Sequence, residues 1–250
     1  MKIIVPVKIV PDDQDILVGA NGALDYSKAK PTVSAYDLNA IEAAVQLAGA
    51  AGSVVAVSAG AKSADDSKTK KNICSRGVAE LYMAADDACE GMDAFQTAAV
   101  LAELVAKVGE YDLIVCGDGS ADNYAQQVDV QLAAKLGLPS VNGVVEITAG
   151  DGIVVCKRAL EDVIEVVEVP LPAVVSVTPD IAKPRIPGMK DILAAGKKPM
   201  DVAGAGTVPA ASVELVECKA PEQAERKLEV MDASEDGAIE KFAAALKAAL

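Results

Sequence analysis

The chain has 250 residues, of which 52% are hydrophobic and 3% aromatic, and its formal net charge at pH 7 is -14. This length fits one large domain, or one domain with an appendage. The negative charge argues against nucleic acid as a partner, because phosphate backbones require a positive surface.

The types of residue that are missing narrow the chemistry further. The sequence contains no histidine, which excludes histidine-dependent catalysis and histidine metal ligands. Its five cysteines are odd in number and lack CxxC spacing, so we expect no metal site and a reduced, cytoplasmic setting. The N-terminal MKIIVPVKIV is typical of a strand rather than a signal peptide. No apolar run approaches the ~20 residues of a membrane span.

The first half of the chain predicts alternating strands and helices. Residues 2–8 are expected to form a buried strand, and the Asn21-Gly22 pair indicates a hairpin. Helical spacing of Leu38 and Ile41 predicts a helix in AYDLNAIEAAVQLAG. The strands SVVAVSAG, AELYMA and YDLIVC then alternate with two further helices. This order predicts an α/β fold of the Rossmann-like, doubly wound kind, with a mostly parallel sheet and ligands at the carboxyl ends of its strands.

The stretch GDGSADNYAQQVDVQLAAKLGLP follows the strand YDLIVC directly. Spacing of the apolar residues from Val128 onward predicts a helix, with Ser120 or Asp122 as its N-cap and a first turn near 124–128. Free backbone amides at such a helix start bind phosphate without a lysine. Asp118 and Asp122 would then cap amides or face a ribose hydroxyl. Because GDG is not GxGxxG, an ordinary turn before an ordinary helix is an equal alternative.

After Pro139 the pattern changes. Valine-rich segments around the Asp151-Gly152 turn predict a β-hairpin excursion that returns to one more core strand, Ala173–Val177. A proline-rich loop and a short helix follow. We therefore divide the chain into an α/β domain over residues 1–200 and a linker with a C-terminal arm over residues 201–250, of which 201–220 are of low complexity.

The end of the chain predicts an amphipathic helix. GAIEKFAAALKAAL places Ile239, Phe242, Leu246 and Leu250 on one face. An arm with such a face is expected to pack on another chain. The alternative is that the helix folds back on its own domain, since apolar faces must be buried.

Four ordered segments carry a resemblance to a known family. VPVKIVPD, YDLNAIEAA, ADNYAQQVDVQLAAKLGLP and KPRIPGMKDIL resemble the β subunit of electron transfer flavoproteins over residues 1 to about 200. The likeness is greatest to the branch associated with nitrogen fixation and anaerobic carnitine metabolism. Residues 157–176 add a further matching signature, in which Ala159 and Val163 depart from the family pattern.

The resemblance implies an electron-carrier subunit without catalytic residues of its own. It implies AMP or a second FAD in this chain, an FAD-bearing α subunit as partner, and electron exchange with an acyl-CoA dehydrogenase or reductase. The nucleotide contacts that it implies are Pro6, Val7, Lys8, Ser34, Ala35, Tyr36, Asp37, Ser58, Ala59, Gly60, Asp118, Gly119, Ser120, Asp122, Tyr124, Ala125, Gln126, Gln127, Val128 and Asp129.

Within this set the phosphate position departs from the family. Gln127 and Val128 match the phosphate-binding amides, but the glycine that usually follows is Asp129 here, and Val130 replaces a proline. A carboxylate at this position would crowd and repel a phosphate. Ser34 stands where asparagine is common.

The loop PRIPGMKDI resembles the segment that docks onto partner dehydrogenases, with Pro184, Arg185 and Met189 as the matching docking residues. An exposed methionine in a proline-stiffened loop is a suitable recognition residue. The alternative is that Met189 packs inward.

Two other functions stay open. A stand-alone adenine-nucleotide-binding module without electron transfer is favoured by Asp129 and Ala159. An α/β enzyme acting on a nucleotide has only Lys8 and Lys157 as candidate side chains, and neither has an obvious acid or base partner.

Overall fold

The computed structural model describes residues 1–222 and 228–249. The chain forms two compact units. The first consists of Met1–Leu17 and Asp25–Glu217, and the second of Val18–Leu24 and Cys218–Leu250.

The secondary structure follows the predicted alternation. The strands are β1 (Lys2–Pro6), β2 (Ile9–Pro11), β3 (Leu17–Val18), β4 (Leu24–Asp25), β5 (Pro31–Val33), β6 (Ser53–Gly60), β7 (Glu80–Ala85), β8 (Leu113–Gly117), β9 (Ser140–Ala149), β10 (Ile153–Ala159), β11 (Ile164–Pro170), β12 (Ala173–Val177) and β13 (Met200–Ala203). The α-helices are α1 (Ala35–Ala48), α2 (Ser67–Cys74), α3 (Ala94–Val108), α4 (Val128–Leu136), α5 (Met189–Ala195) and α6 (Ala238–Ala249).

The first unit is built on a nine-stranded sheet in the order β11-β10-β9-β12-β8-β1-β6-β7-β13. From β12 to β13 all neighbouring strands are parallel, whereas β9, β10 and β11 pair antiparallel as the predicted hairpin excursion. The predicted doubly wound, mostly parallel sheet is therefore confirmed. The chain moves from β1 to β6 and β7 on one side and then to β8 on the other, so the topological switch point lies between β1 and β8.

Both faces of the central strands are buried, as expected for a parallel sheet between helices. In β1, Ile3 and Val5 pack in one core cluster with Ile41 of α1. Ile4 points to the opposite face and packs in a second cluster with Leu104 of α3. Each such side chain contributes roughly 1.5–3 kcal/mol through burial. Helices α1 and α3 thus lie on opposite faces of the sheet, and the switch point lies between them.

Most turn predictions are confirmed. Strands β3 and β4 pair on either side of the Asn21-Gly22 turn, where Asn21 has a φ of 60° and Gly22 a φ of 75°.

The linker prediction is wrong for residues 201–203, which belong to β13 and pair with β7. Met200 and Val202 pack against the core, but a run of four residues is too short to show an alternating pattern in the sequence.

The second unit contains the predicted terminal helix. Ala23 and Lys219 form an isolated antiparallel bridge, and α6 presents Ile239, Phe242 and Leu246 as exposed side chains. Leu250, which we predicted on the same face, lies outside the described residues. None of the helices in the described part of the chain is long and apolar enough to cross a membrane.

Candidate functional site

The predicted nucleotide-binding residues gather at one edge of the sheet. Pro6 ends β1 and residues 7–8 follow it, residues 58–60 end β6, and residues 118–129 run from β8 into α4. These three segments lie at the carboxyl ends of parallel strands, which is where ligands of doubly wound sheets bind. Residues 34–37, at the start of α1, join them through the hydrogen bond from the Lys8 amide to Asp37.

Lys8 joins the loops that follow β1 and β8. Its Nζ lies 2.7 Å from an oxygen of Asp122 and 3.4 Å from the Ser120 hydroxyl, and its carbonyl accepts a hydrogen bond from the Ser34 amide. Burial opposes the charge of Asp122, but the hydrogen bonds from Lys8 and Ser120 outweigh it and lower the pKa of Asp122. The ion pair therefore ties the two loops together across the switch point.

Asp37 fixes the start of α1 to two strand ends. Its carboxylate accepts a hydrogen bond of 2.7 Å from the Lys8 amide, and it lies beside Gly117 at the end of β8. Burial raises its pKa to about 7, against the opposing effects of Lys8 and of the Gly117 backbone. A Cβ at Gly117 would lie 2.7 Å from Asp37 Oδ1 and 2.9 Å from the Tyr36 Cβ, so this close approach requires glycine.

The loop between β8 and α4 is held by two tyrosines. The Tyr124 hydroxyl donates a hydrogen bond of 3.0 Å to Asp118 Oδ2, and the Tyr36 and Tyr124 rings lie 5.1 Å apart. The Ser34 hydroxyl accepts a 3.3 Å hydrogen bond from the Ala121 amide. Tyr124 is 44% exposed, so one ring remains accessible beside the edge.

The predicted start of α4 is wrong. The helix begins at Val128 with Gln127 as its N-cap, not at Ser120 or Asp122. Tyr124 and Gln126 have φ values of 46° and 55°, which a right-handed helix does not allow. Gln127 makes no side-chain capping hydrogen bond, so no capping side chain occupies the amides of the first turn.

Asp129, which stands where the family usually has a glycine, is buried. It is 7% exposed, as is Asp118 at the end of β8. Burial raises the pKa of Asp118, and the charge of Asp129 adds to this effect. Burial likewise raises the pKa of the Cys116 thiol well above its usual range, with a contribution from Asp129.

The other predicted nucleotide-contact residues have fewer hydrogen bonds to the rest of this edge. Val7 donates to the Val57 carbonyl over 2.8 Å, which links β1 to β6, and Gly60 accepts from the Asp86 amide. Ser58 is buried, and no described residue bonds its hydroxyl. Sequence reasoning missed the structural role of Gly117, and it gave Ser176 no role beyond a signature match. Their only signal was a small or polar residue at the end of an apolar strand.

The predicted docking segment is fixed by α1. Arg185 Nε and Nη2 donate to the Glu42 carboxylate over 2.6 and 3.0 Å, and the Arg185 amide donates over 3.2 Å. The side-chain hydrogen bond from Arg185 is the main cause that lowers the pKa of Glu42 to about 2. The Asn39 amide group donates to the carbonyls of Pro179 and Ala182.

Beyond this anchor the segment exposes apolar side chains. Met189 begins α5 and is 74% exposed, and Ile186 and Leu193 are also exposed. The alternative in which Met189 packs inward is therefore wrong. Pro184 lies directly before Arg185 in the same extended stretch.

Lys157 and Arg158 lie on the hairpin excursion instead. Lys157 pairs with Glu146 over 2.9 Å, and Arg158 donates to Asn142 over 2.7 Å. These bonds do not join either residue to the predicted nucleotide-binding residues. Lys157 therefore does not support the alternative of an enzyme that acts on a nucleotide.

The fold defines a doubly wound α/β protein whose predicted nucleotide-binding residues meet at the switch point. A family model described as the electron transfer flavoprotein domain matches residues 23–216, which is most of the chain. The chain therefore belongs to the electron transfer flavoprotein family. Proteins of this family are flavin-associated electron carriers rather than enzymes, and they work as heterodimers.

Proposed function

We propose that this chain is the β subunit of an electron transfer flavoprotein and holds an adenine nucleotide, either AMP or a second FAD. The observation that carries the proposal is the convergence of four predicted segments at the β1/β8 switch point. With an FAD-bearing α subunit, the chain would carry electrons to or from an acyl-CoA dehydrogenase or reductase in the cytoplasm.

The residues at the edge fit an adenine nucleotide. The first turn of α4 offers backbone amides that no side chain caps, and a helix N-terminus favours a phosphate. The half-exposed ring of Tyr124 offers a face for stacking. Asp129 lies in the same turn and is buried, so a bound phosphate has to be accommodated near its carboxylate.

The chain's own residues bind and orient rather than catalyse. A flavin bound in the complex supplies the electron chemistry. Asp37 and the pair of Lys8 with Asp122 hold the loops of the edge in place. No step of this function requires a proton-transferring side chain from this chain.

Two further surfaces would serve the partners. Pro184, Arg185 and Met189 lie in the segment anchored by Glu42, and the exposed Met189 is suited to bury itself against the dehydrogenase or reductase. The exposed apolar face of α6, with Ile239 and Phe242, would pack on the α subunit.

The test is to co-express this chain with its α subunit, purify the pair and quantify the nucleotides released on denaturation. We expect either one FAD and one AMP per pair, or two FAD per pair. One FAD alone would contradict nucleotide binding by this chain, and a pair without flavin would contradict the whole proposal.

A stand-alone adenine-nucleotide-binding module is the second candidate. Asp129 at the usual glycine position and Ala159 in the signature of residues 157–176 favour it, because both depart from the family pattern. A chain that is monodisperse without an α subunit and binds nucleotide alone would support this candidate.

A further inference from the structure

Two aspartates are buried where β8 ends and α4 begins. Asp118 Oδ2 accepts a hydrogen bond from Tyr124, but Asp118 Oδ1 is buried with no hydrogen-bond partner among the described residues. No lysine or arginine in the described ranges forms an ion pair with Asp118 or Asp129. Buried carboxylates normally have a paired charge or a metal.

A serine on the neighbouring strand adds a third oxygen. Ser176 is 1% exposed, and none of the described residues lies within hydrogen-bond distance of its hydroxyl. Its strand register pairs it with Cys116. Val174, two residues earlier on β12, packs in one cluster with Leu132 of α4. Because side chains on a strand alternate with period two, Ser176 faces the side of the sheet that α4 covers.

Asp129 faces the same space from the helix. It precedes Leu132 by three residues and Ala133 by four, and residues at these spacings share one helix face. Both Leu132 and Ala133 are buried against the sheet. The end of β8, the end of β12 and the first turn of α4 therefore each direct one oxygen-bearing side chain into one region.

Lys8 does not neutralise this region, because its Nζ is held by Asp122 and Ser120 on the loop. A phosphate approaching the amides of α4 would meet two uncompensated carboxylates at close range, and like charges at such distances repel strongly. Either the site rejects phosphate or a cation accompanies the phosphate.

We propose that this edge binds its nucleotide together with a divalent cation, with Asp118, Asp129 and Ser176 as the protein ligands and the nucleotide phosphate as a further ligand. All the ligand atoms are oxygens, which suits Mg²⁺. Magnesium is usually held by one or two carboxylates plus substrate phosphates rather than by an all-protein cage. In keeping with this, the described residues contain no group of three or more His, Cys, Asp or Glu side chains that could hold a metal alone. The inference rests on the proposed nucleotide site.

The experiment uses the purified pair with its α subunit, stripped of nucleotide and metal. AMP is titrated calorimetrically in excess MgCl₂ and again in EDTA, with adenosine as a probe that lacks the phosphate. We expect Mg²⁺ to tighten AMP binding about tenfold or more, since a metal bridge replaces a repulsion, and to leave adenosine binding unchanged.

Two variants locate the effect. In Asp129→Asn, AMP should bind equally tightly with and without Mg²⁺. Asp129→Gly should give the same result, and it replaces the first variant if that one folds poorly. Asp151→Asn, in the exposed turn between β9 and β10, is the charge-matched control. It removes one carboxylate away from the edge and should keep the ratio of the AMP affinities with and without Mg²⁺.

The outcomes separate the two proposals. AMP binding of equal strength in MgCl₂ and EDTA would overturn the cation site and leave the nucleotide site intact. So would AMP binding that tightens on acidification but does not respond to Mg²⁺, because protons would then neutralise the carboxylates. Absence of AMP and FAD binding under every condition would overturn both proposals.

Discussion

Helices α1 and α4 begin at the same edge of the sheet, and each carries a buried aspartate in its first turn. Asp37 of α1 accepts a hydrogen bond from the Lys8 amide. Asp129 of α4 receives no hydrogen bond from the described residues. The two share residue type, burial and position near a helix N-terminus, so these properties do not separate a structural carboxylate from one available to a ligand. The two carboxylates differ instead in their hydrogen-bond partners.

The largest expected effect concerns pH. Burial raises the pKa of Asp37 to about 7, so the folded state holds this proton more tightly than the unfolded state. The free energy of unfolding should therefore fall as pH rises from about 4 to about 7, by up to about 1.4 kcal/mol per pH unit, and then level off. Urea unfolding across this range measures the slope.

Asp37→Asn should flatten that slope, because it removes the titrating group. Asp122→Asn is the control, since hydrogen bonds lower the pKa of Asp122 and its contribution changes only in more acidic solution. A slope that is unchanged in Asp37→Asn would contradict the assignment.

The second prediction contrasts the two aspartates directly. Asp37→Ala leaves the Lys8 amide without its acceptor, and because an unsatisfied buried donor costs about 1–3 kcal/mol, the free energy of unfolding should fall by about 1–3 kcal/mol. Asp129→Ala removes no acceptor and relieves a buried charge, so stability should be unchanged or slightly higher. Urea unfolding at mildly acidic pH, without Mg²⁺ or nucleotide, makes the comparison.

Equal losses of unfolding free energy in the two variants would contradict the distinction between a structural aspartate and one available to a ligand. A loss confined to Asp129→Ala would reverse it.

The smallest expected effects concern two glycines, Gly117 beside Asp37 and Gly119 beside the ring of Tyr124 that bonds Asp118. A Cβ at Gly117 would lie 2.7 Å from Asp37 Oδ1, in a buried region, so Gly117→Ala should cost about 1–3 kcal/mol through overpacking. A Cβ at Gly119 would lie 2.2 Å from the Tyr124 ring, but that half-exposed ring can rotate away. Gly119→Ala should then cost only about 1 kcal/mol, through the lost bond to Asp118.

Thermal or urea unfolding of both glycine variants tests this order. A larger loss in Gly119→Ala would mean that the loop before α4 is as rigid as the junction at α1.

Much of the fold could be predicted because its signals are local. Strand and helix periods with glycine stops predicted β1 through α4, and the Asp151-Gly152 turn predicted the hairpin. Strand β13 escaped prediction because its pairing with β7 is a long-range contact that four residues do not encode. The start of α4 was placed too early because the positive φ values of Tyr124 and Gln126 depend on the fold around them.

The place where the candidate residues meet could be predicted from the sequence, but their contacts could not. Strand ends at a switch point can be inferred from the order of the elements, and the resemblance supplied the residue set. The hydrogen bond from the Lys8 amide to Asp37, and the burial of Asp129, depend on distances between segments far apart in the chain. No spacing in the sequence reports such distances.

Helix α1 keeps its contacts with the core and with the docking segment on different side chains. Ala40 and Ile41 pack in the core, whereas Asn39 and Glu42 hold carbonyl groups and an arginine of the segment that leads to Met189. None of these anchoring bonds involves the exposed apolar side chains from Ile186 to Leu193. Those side chains can therefore be replaced without breaking the bonds to α1. Under the proposed function, the surface offered to a redox partner can change while the residues of the proposed nucleotide site are retained.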